Sequence, residues 1–164
     1  MVTPTPNPRA PLGGRGDRTA GTSAGADFPT IAAALTGRGL AVDRPDPTTL
    51  VVDVPEGNLT LSIAIQEIDG SYLTLRLWPF DGGEVLPESD FAQLLRISDQ
   101  LHVVKVGLDG GNAVVLSLEY PLAAVDGPAV ETGIAYLVAA LRACYDDLVA
   151  AVVLGDDGDD DADG

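Results

Sequence analysis

Three consecutive runs of alternating apolar residues constrain this chain most. Leu50, Val52 and Val54 alternate with Val51 and Asp53. Leu59, Leu61, Ile63 and Ile65 face away from Thr60, Ser62, Ala64 and Gln66, and Leu73, Leu75 and Leu77 oppose Tyr72, Thr74, Arg76 and Trp78. A side-chain period of two marks strands with one buried face. The separators "PEGN" (55–58) and "EIDGS" (67–71) are turn-like. The spacing therefore predicts an antiparallel meander with one face on a core and the other toward water or a partner.

Helical periods flank the meander. Asp27 is placed to cap a helix carrying Phe28, Ile31 and Leu35, which Gly37 and Gly39 end. After the meander, "LPESDFAQLLRISDQL" has Pro87 at a first helical position and Glu88 and Asp90 at the positive end of the dipole. Phe91, Leu94, Leu95 and Ser98 are expected to line its buried face. The last helix is the longest: Asp126 caps it and Pro128 lies in its first turn. Its stripe is Val130, Ile134, Leu137, Leu141, Tyr145, Leu148 and Val152. Ala135, Ala139, Ala140 and Ala143 leave its other side bare, which predicts close contact on two sides.

Between these helices, "LHVVKVGLDGGNAVVLSLEY" (101–120) holds the only histidine and the only lysine. Val104, Val106 and Leu108 lie on one face of a first strand, and Val114, Leu116, Leu118 and Tyr120 on one face of a second. For both sets to share a core, position 108 must pair with 114, because a one-residue slip flips every side chain. The loop is then Gly110-Gly111-Asn112, Lys105 faces Ser117 on the outer surface, and His102 falls at the strand start near Tyr120. A catalytic histidine needs an orienting acid and a nucleophile in reach. Asp99 is three residues upstream, but no motif ties a serine or cysteine to His102. Cys144 sits beside an apolar stripe, where structural thiols usually lie. The stretch reads as a hairpin, and no catalytic residue is assigned.

The net charge of −16 restricts the partners. Residues 27–153 carry 18 acids against six bases, the 26 residues before them are net positive, and residues 154–164 bring six aspartates. Such a polyanion is repelled by phosphate backbones, which disfavours nucleic acid and anionic membranes. No apolar run is long enough to span a bilayer and no secretion leader is expected. A single cysteine agrees with a reducing cytoplasm, where the acceptor tripeptide Asn58-Leu59-Thr60 would go unglycosylated. Eight arginines to one lysine point to a GC-rich bacterial genome.

The ends are read as lying outside the fold, giving a Pro/Gly-rich arm (1–25), an α+β domain (26–154) and an acidic tail (155–164). The arm "MVTPTPNPRAPLGGRGDRTAGTSAG" lacks the large apolar groups needed to offset its ordering entropy. Its Arg15-Gly16-Asp17 is a chance tripeptide in a low-complexity segment. In "DDGDDDADG", Asp159, Asp161, Asp163 and Gly164 reproduce the start of a calcium loop, but the later backbone ligand and glutamate are missing. A solubilising tail is the simpler reading, with no metal site and no cofactor.

The element order is helix, three strands, helix, two strands, long helix. This predicts an α+β fold with a five-stranded antiparallel sheet and three helices. Residues 86–149 carry "DFAQLLRISDQLHVVKVGLDGGNAVVLSLEYPLAAVDGPAVETGIAYLVAALRACYDDL". This portion resembles the YbjN family, bacterial proteins described as sensory-transduction regulators. The resembling features are a helix ending in polar residues, a strand bearing a lysine, an Asp-Gly turn, a strand running into "YPL", and a long helix with late paired aspartates. A weaker likeness extends back to Asp27. The stretch before the hairpin reads "SDQL" where that family has an asparagine. The resemblance implies a type III secretion chaperone-like fold and a non-enzymatic, often dimeric, protein-binding module.

The expected function is a chaperone-like or regulatory module that binds another protein in a bacterial cytoplasm and forms a homodimer. The expected partner-binding residues are Tyr72, Arg76, Trp78, Val103 and Lys105. Exposed aromatics often anchor interfaces; the alternative is that another helix covers them. Charge alone supports a second reading, an acidic inhibitor or immunity-type protein that blocks a basic partner. A small-molecule enzyme is disfavoured by the shortage of His, Cys and Lys.

Overall fold

The computed structural model describes residues 27–80 and 91–155. In chain order the elements are α1 (Phe28–Gly37), β1 (Ala41–Asp46), β2 (Thr49–Glu56), β3 (Leu59–Ile68), β4 (Tyr72–Leu77), α2 (Phe91–Gln100), β5 (Lys105–Leu108), β6 (Val114–Pro121) and α3 (Gly127–Gly155). The expected arm and acidic tail, and the helix-opening residues Pro87, Glu88 and Asp90, lie outside the described residues.

The strands form one antiparallel sheet in the order β1-β2-β3-β4-β6-β5. It has six strands, not the expected five. The additional one is β1, whose sequence "AVDRPD" offers a single large apolar side chain and a proline. Neither disqualifies it as an edge strand, where Pro45 forfeits no necessary ladder bond. Its pairing with β2 shifts register between Asp43 and Asp46, the interval that contains Pro45. An edge of this kind, charged, bulged and proline-bearing, resists pairing with a further strand.

The meander follows the alternation except at the β2–β3 turn, where Leu59, expected to face the core, is exposed. Leu50, Ile65, Leu75 and Leu118 lie in one cross-strand row, and Val52, Ile63, Leu77, Leu116 and Val106 in the next. All but Leu118 and Val106 are fully buried, and those two nearly so. The β3–β4 connection puts Asp69 (φ 53°) and Gly70 (φ 63°) in the left-handed region, with Ser71 N–H donating to the Ile68 carbonyl. Asp and Gly tolerate that conformation best. The hairpin register is the expected one: Leu108 pairs with Val114 and Lys105 with Ser117, around a Gly110-Gly111-Asn112 loop with Asn112 at φ 63°.

All three helices join one core cluster with the inward row of side chains. The Asp27 carboxylate accepts from the Thr30 amide at 2.9 Å and starts α1; Phe28, Ile31 and Leu35 are buried. Asp126 caps α3 through the Ala129 amide at 2.8 Å. Close approach explains two α3 glycines. A Cβ on Gly127 would stand 2.9 Å from the Ala34 Cβ of α1, and one on Gly133 would stand 2.9 Å from Leu75 Cδ2 and 3.0 Å from Tyr120 Oη. The bidentate pair of Arg142 with Glu56, both contacts 2.6 Å, ties α3 to the β2–β3 turn.

Several expected helix faces need correction. In α2, Leu94 and Ile97 are buried, while Leu95 is 70% exposed and Phe91 lies at the surface. The helix is rotated so that Ser98 faces β5 and its hydroxyl takes the Val106 amide at 3.3 Å. In α3, Val130, Ile134, Leu137, Leu141 and Leu148 are buried as expected, but Tyr145 is exposed and Cys144 and Ala140 turn inward. Tyr145 instead meets Phe80, ring centroids 6.2 Å apart. Ala135, Ala139 and Ala143 are exposed, so the expected contact on that side is not made within one chain.

Candidate protein-binding face

Alternation along the strands sends Thr74, Arg76, Ala64, Gln66, Ser117 and Glu119 to the face opposite the helices. A single cross-strand row there reads Asp43, Val51, Ala64, Arg76, Ser117 and Lys105. None of these residues belongs to the core cluster, and no helix among the described residues packs on this face. Its floor is made of small side chains, and Ala113, Val115, Thr49 and Thr74 are buried there.

Four of the five expected binding residues lie on this face. Tyr72 stands at one end of β4 with its side chain 53% exposed. Arg76 is half-buried near the middle. Just beyond β4, Trp78 is half-buried, and its indole Nε1 donates to Asp109 Oδ2 at 2.9 Å. Lys105, across β6 from Arg76, donates to Glu119 Oε2 at 3.1 Å with both side chains at least half exposed. Val103 is different. Strand β5 begins only at Lys105, so Val103 and His102 sit in an exposed bend before it. The chain spends residues 101–104 leaving α2, which the unbroken Val-Val-Lys-Val alternation conceals. His102 is therefore neither in a strand nor paired with Tyr120.

Asp109 is a residue that period reading alone does not single out. Its carboxylate accepts from Trp78 Nε1, the Gly111 amide at 2.8 Å and the Ala113 amide at 3.0 Å. The Trp78 indole, then the Ala113 and Gly111 amides, hold the carboxyl below its ordinary pKa, because each stabilises the charged form. The signal was present in "LDGGN": an aspartate opening a glycine loop commonly bonds amides two to four residues on. Here it also fixes the indole at the rim of the face.

Three polar groups of one groove are engaged in structure. A groove of about 570 Å³ between α1 and the β3–β4 turn is lined by Asp27, Phe28, Arg44, Glu67, Ser71 and Leu122. Its Asp27 caps α1, Arg44 donates to the carbonyls of Asp46 and Pro47, and Ser71 Oγ donates to the Asp69 carbonyl. Burial and then the Asp147 charge push the Cys144 thiol up, the reverse of an activated nucleophile. Among the described residues no group of three His, Cys, Asp or Glu side chains could hold a metal ion. No helix among them is long and apolar enough to cross a membrane.

No family model matches the sequence, that of YbjN included, and no curated protein matches it. Several solved structures are similar, among them two of complexes. One is of the heterodimeric ExoU–SpcU complex from the type III secretion system of Pseudomonas aeruginosa. The match has 21% identity and a TM-score of 0.49, and covers 74% of this chain and 96% of that one. The other is of the Yersinia pestis type III secretion chaperone SycH in complex with a stable fragment of YscM2. Here the identity is 15% and the TM-score 0.44, with 75% of this chain and 97% of that one covered.

Proposed function

We propose that the chain is a non-enzymatic, chaperone-like or regulatory protein-binding module of a bacterial cytoplasm. It presents the helix-free sheet face to another protein. One observation carries the reading: a six-stranded sheet has its helices on one side only among the described residues, and Tyr72, Arg76 and Trp78 stand on the other. A fully solvated sheet face is expected to carry dense charge on long side chains. This one has a floor of small side chains, and its Tyr72, Trp78 and Arg76 are of the residue types enriched at interface centres.

A second surface supports homodimerisation. Tyr136, Ala135, Ala139 and Ala143 expose an apolar, short-chained strip along α3. A two-fold pair would lay this strip against its copy, the commonest closure for homo-oligomers. The net charge of −16 favours the second reading, an acidic inhibitor of a basic partner. The two differ in salt response: a complex held by net charge weakens steeply with salt, and one held by the apolar and aromatic face does not.

Immobilised full-length chain, its Tyr72→Ser variant and its Ala139→Arg variant, exposed to lysate at low and high salt, separate these readings. The proposal expects a stoichiometric protein that resists salt and is lost with Tyr72→Ser. A partner eluted by salt and indifferent to both substitutions would support the acidic inhibitor instead.

A further inference from the structure

Among the described residues, Arg76 sits in the outer face with no counter-ion in contact. The carboxylates closest to it in the sheet are committed elsewhere: Asp109 to three N–H donors and Glu119 to Lys105. Asp109 feels the Arg76 charge only through space, as the last contributor to its lowered pKa. Of the other described arginines, Arg38 pairs with Glu131, Arg142 with Glu56 and Arg44 with backbone carbonyls, while Arg96 lies exposed on α2, away from this face. A guanidinium offers five donors in a planar fork, which a bound acceptor can engage in place of water.

The surface around it is shaped on both sides. Toward Tyr72 lies a depression of about 150 Å³ over Ile68, Thr74 and Glu119. Toward the hairpin lies one of about 370 Å³ lined by Lys105, Gly107, Val115 and Ser117. Gly107 keeps the second open without being required by the fold. A Cβ there would meet nothing within 4 Å, and its φ is not in the left-handed region.

We propose that Arg76 is a carboxylate receptor. The outer face binds an extended segment of a partner protein that sets one Asp or Glu on the guanidinium and places apolar side chains in the two flanking depressions. This specifies the partner of the face and rests on the protein-binding reading. Hydrogen-bond complementarity selects the ligand. Arg76 makes no ion pair among the described residues, while the chain as a whole carries a net charge of −16. A single carboxylate in an otherwise neutral or basic segment fits; an acid-rich or phosphorylated segment meets repulsion from Glu119 and Asp109. The planar fork also matches a carboxylate in bidentate geometry.

Selection from a random 12-residue peptide library on immobilised full-length chain tests this, with Arg76→Met, Arg76→Gln and Gly107→Leu as parallel baits of verified fold. The expected result is enrichment of peptides with one Asp or Glu between apolar residues. The best synthetic peptide should lose about tenfold or more in affinity when its acid becomes the amide, or on either Arg76 variant. It should also lose affinity on Gly107→Leu. Peptides lost on Gly107→Leu but bound equally by both Arg76 variants would overturn the carboxylate receptor and leave the face as a binding surface. Enrichment only of phosphopeptides from a phosphorylated library would overturn it likewise. Peptides indifferent to all three variants, or no enrichment at all, would overturn both.

Discussion

A single carboxylate at position 109 joins the hairpin loop to the indole that edges the outer face. Because the folded state holds its pKa below the ordinary carboxyl value, Asp109 adds stability that is fully present above ~4. That stability is lost as pH falls through the lower folded value. Replacing it with Asn should remove this part of the acid sensitivity, giving a shallower fall in melting temperature below about pH 4 than the wild type shows. An unchanged acid limb in a thermal melt series would mean that Asp109 does not titrate as the geometry requires. In the neighbouring strand, Val106 is buried and Lys105 exposed by strict alternation. Val106→Asp should cost about 3 kcal/mol or more in denaturant unfolding, since it buries a charge, and Lys105→Glu well under that. The reverse order would contradict the hairpin register.

At the scale of elements, what the sequence made legible was whatever had a clear period or a cap. The 108–114 pairing followed from requiring two apolar sets to share one core, and Asp27 and Asp126 cap as their positions imply. Strand β1 was illegible because an edge strand with Pro45 and polar neighbours shows no alternation; its partner β2, not its own composition, makes it a strand. The rotation of α2 was misread because Leu95 and Ile97 are both apolar, and only the packing of the helix on β5 and α3 decides that Ile97 faces the core. Close helix–sheet packing was also hidden, since a glycine in a helix looks like a weakness. Gly133→Ala makes this measurable. Alanine would gain up to ~1 kcal/mol of helix propensity, but overpacking against the fully buried Leu75 costs ~1–3 kcal/mol. The net change in denaturant unfolding should be destabilising, and a stabilised variant would show that α3 is not seated as closely as described.

For the whole molecule, the α+β class and the outward placement of Tyr72, Arg76, Trp78 and Lys105 could be read from the sequence. Which of those side chains are already satisfied could not, because Trp78 and Lys105 meet partners 31 and 14 residues away. Arg76 stands out only once its neighbours are known to be occupied. The apolar strip of α3 should produce a dimer whose interface tolerates salt, because screening relieves the mutual repulsion of two acidic chains. Light scattering coupled to gel filtration should give twice the chain mass at micromolar concentration and a tighter dimer at higher salt. Ala139→Arg should return it to one chain mass. A single-chain mass at every salt concentration would leave the strip without its copy.

The partner is expected to meet the outer sheet face, which carries no helix among the described residues. Site-specific photo-crosslinking tests it directly, with a benzoyl-phenylalanine placed at Tyr72 on that face or at Ala135 on the exposed side of α3. Both positions are solvent-exposed and neither lies in the core, so the fold should survive either replacement. The account predicts a crosslink to a second, different protein from position 72 and a crosslink between two copies of the chain from position 135. A heterologous crosslink from position 135, with none from position 72, would contradict it.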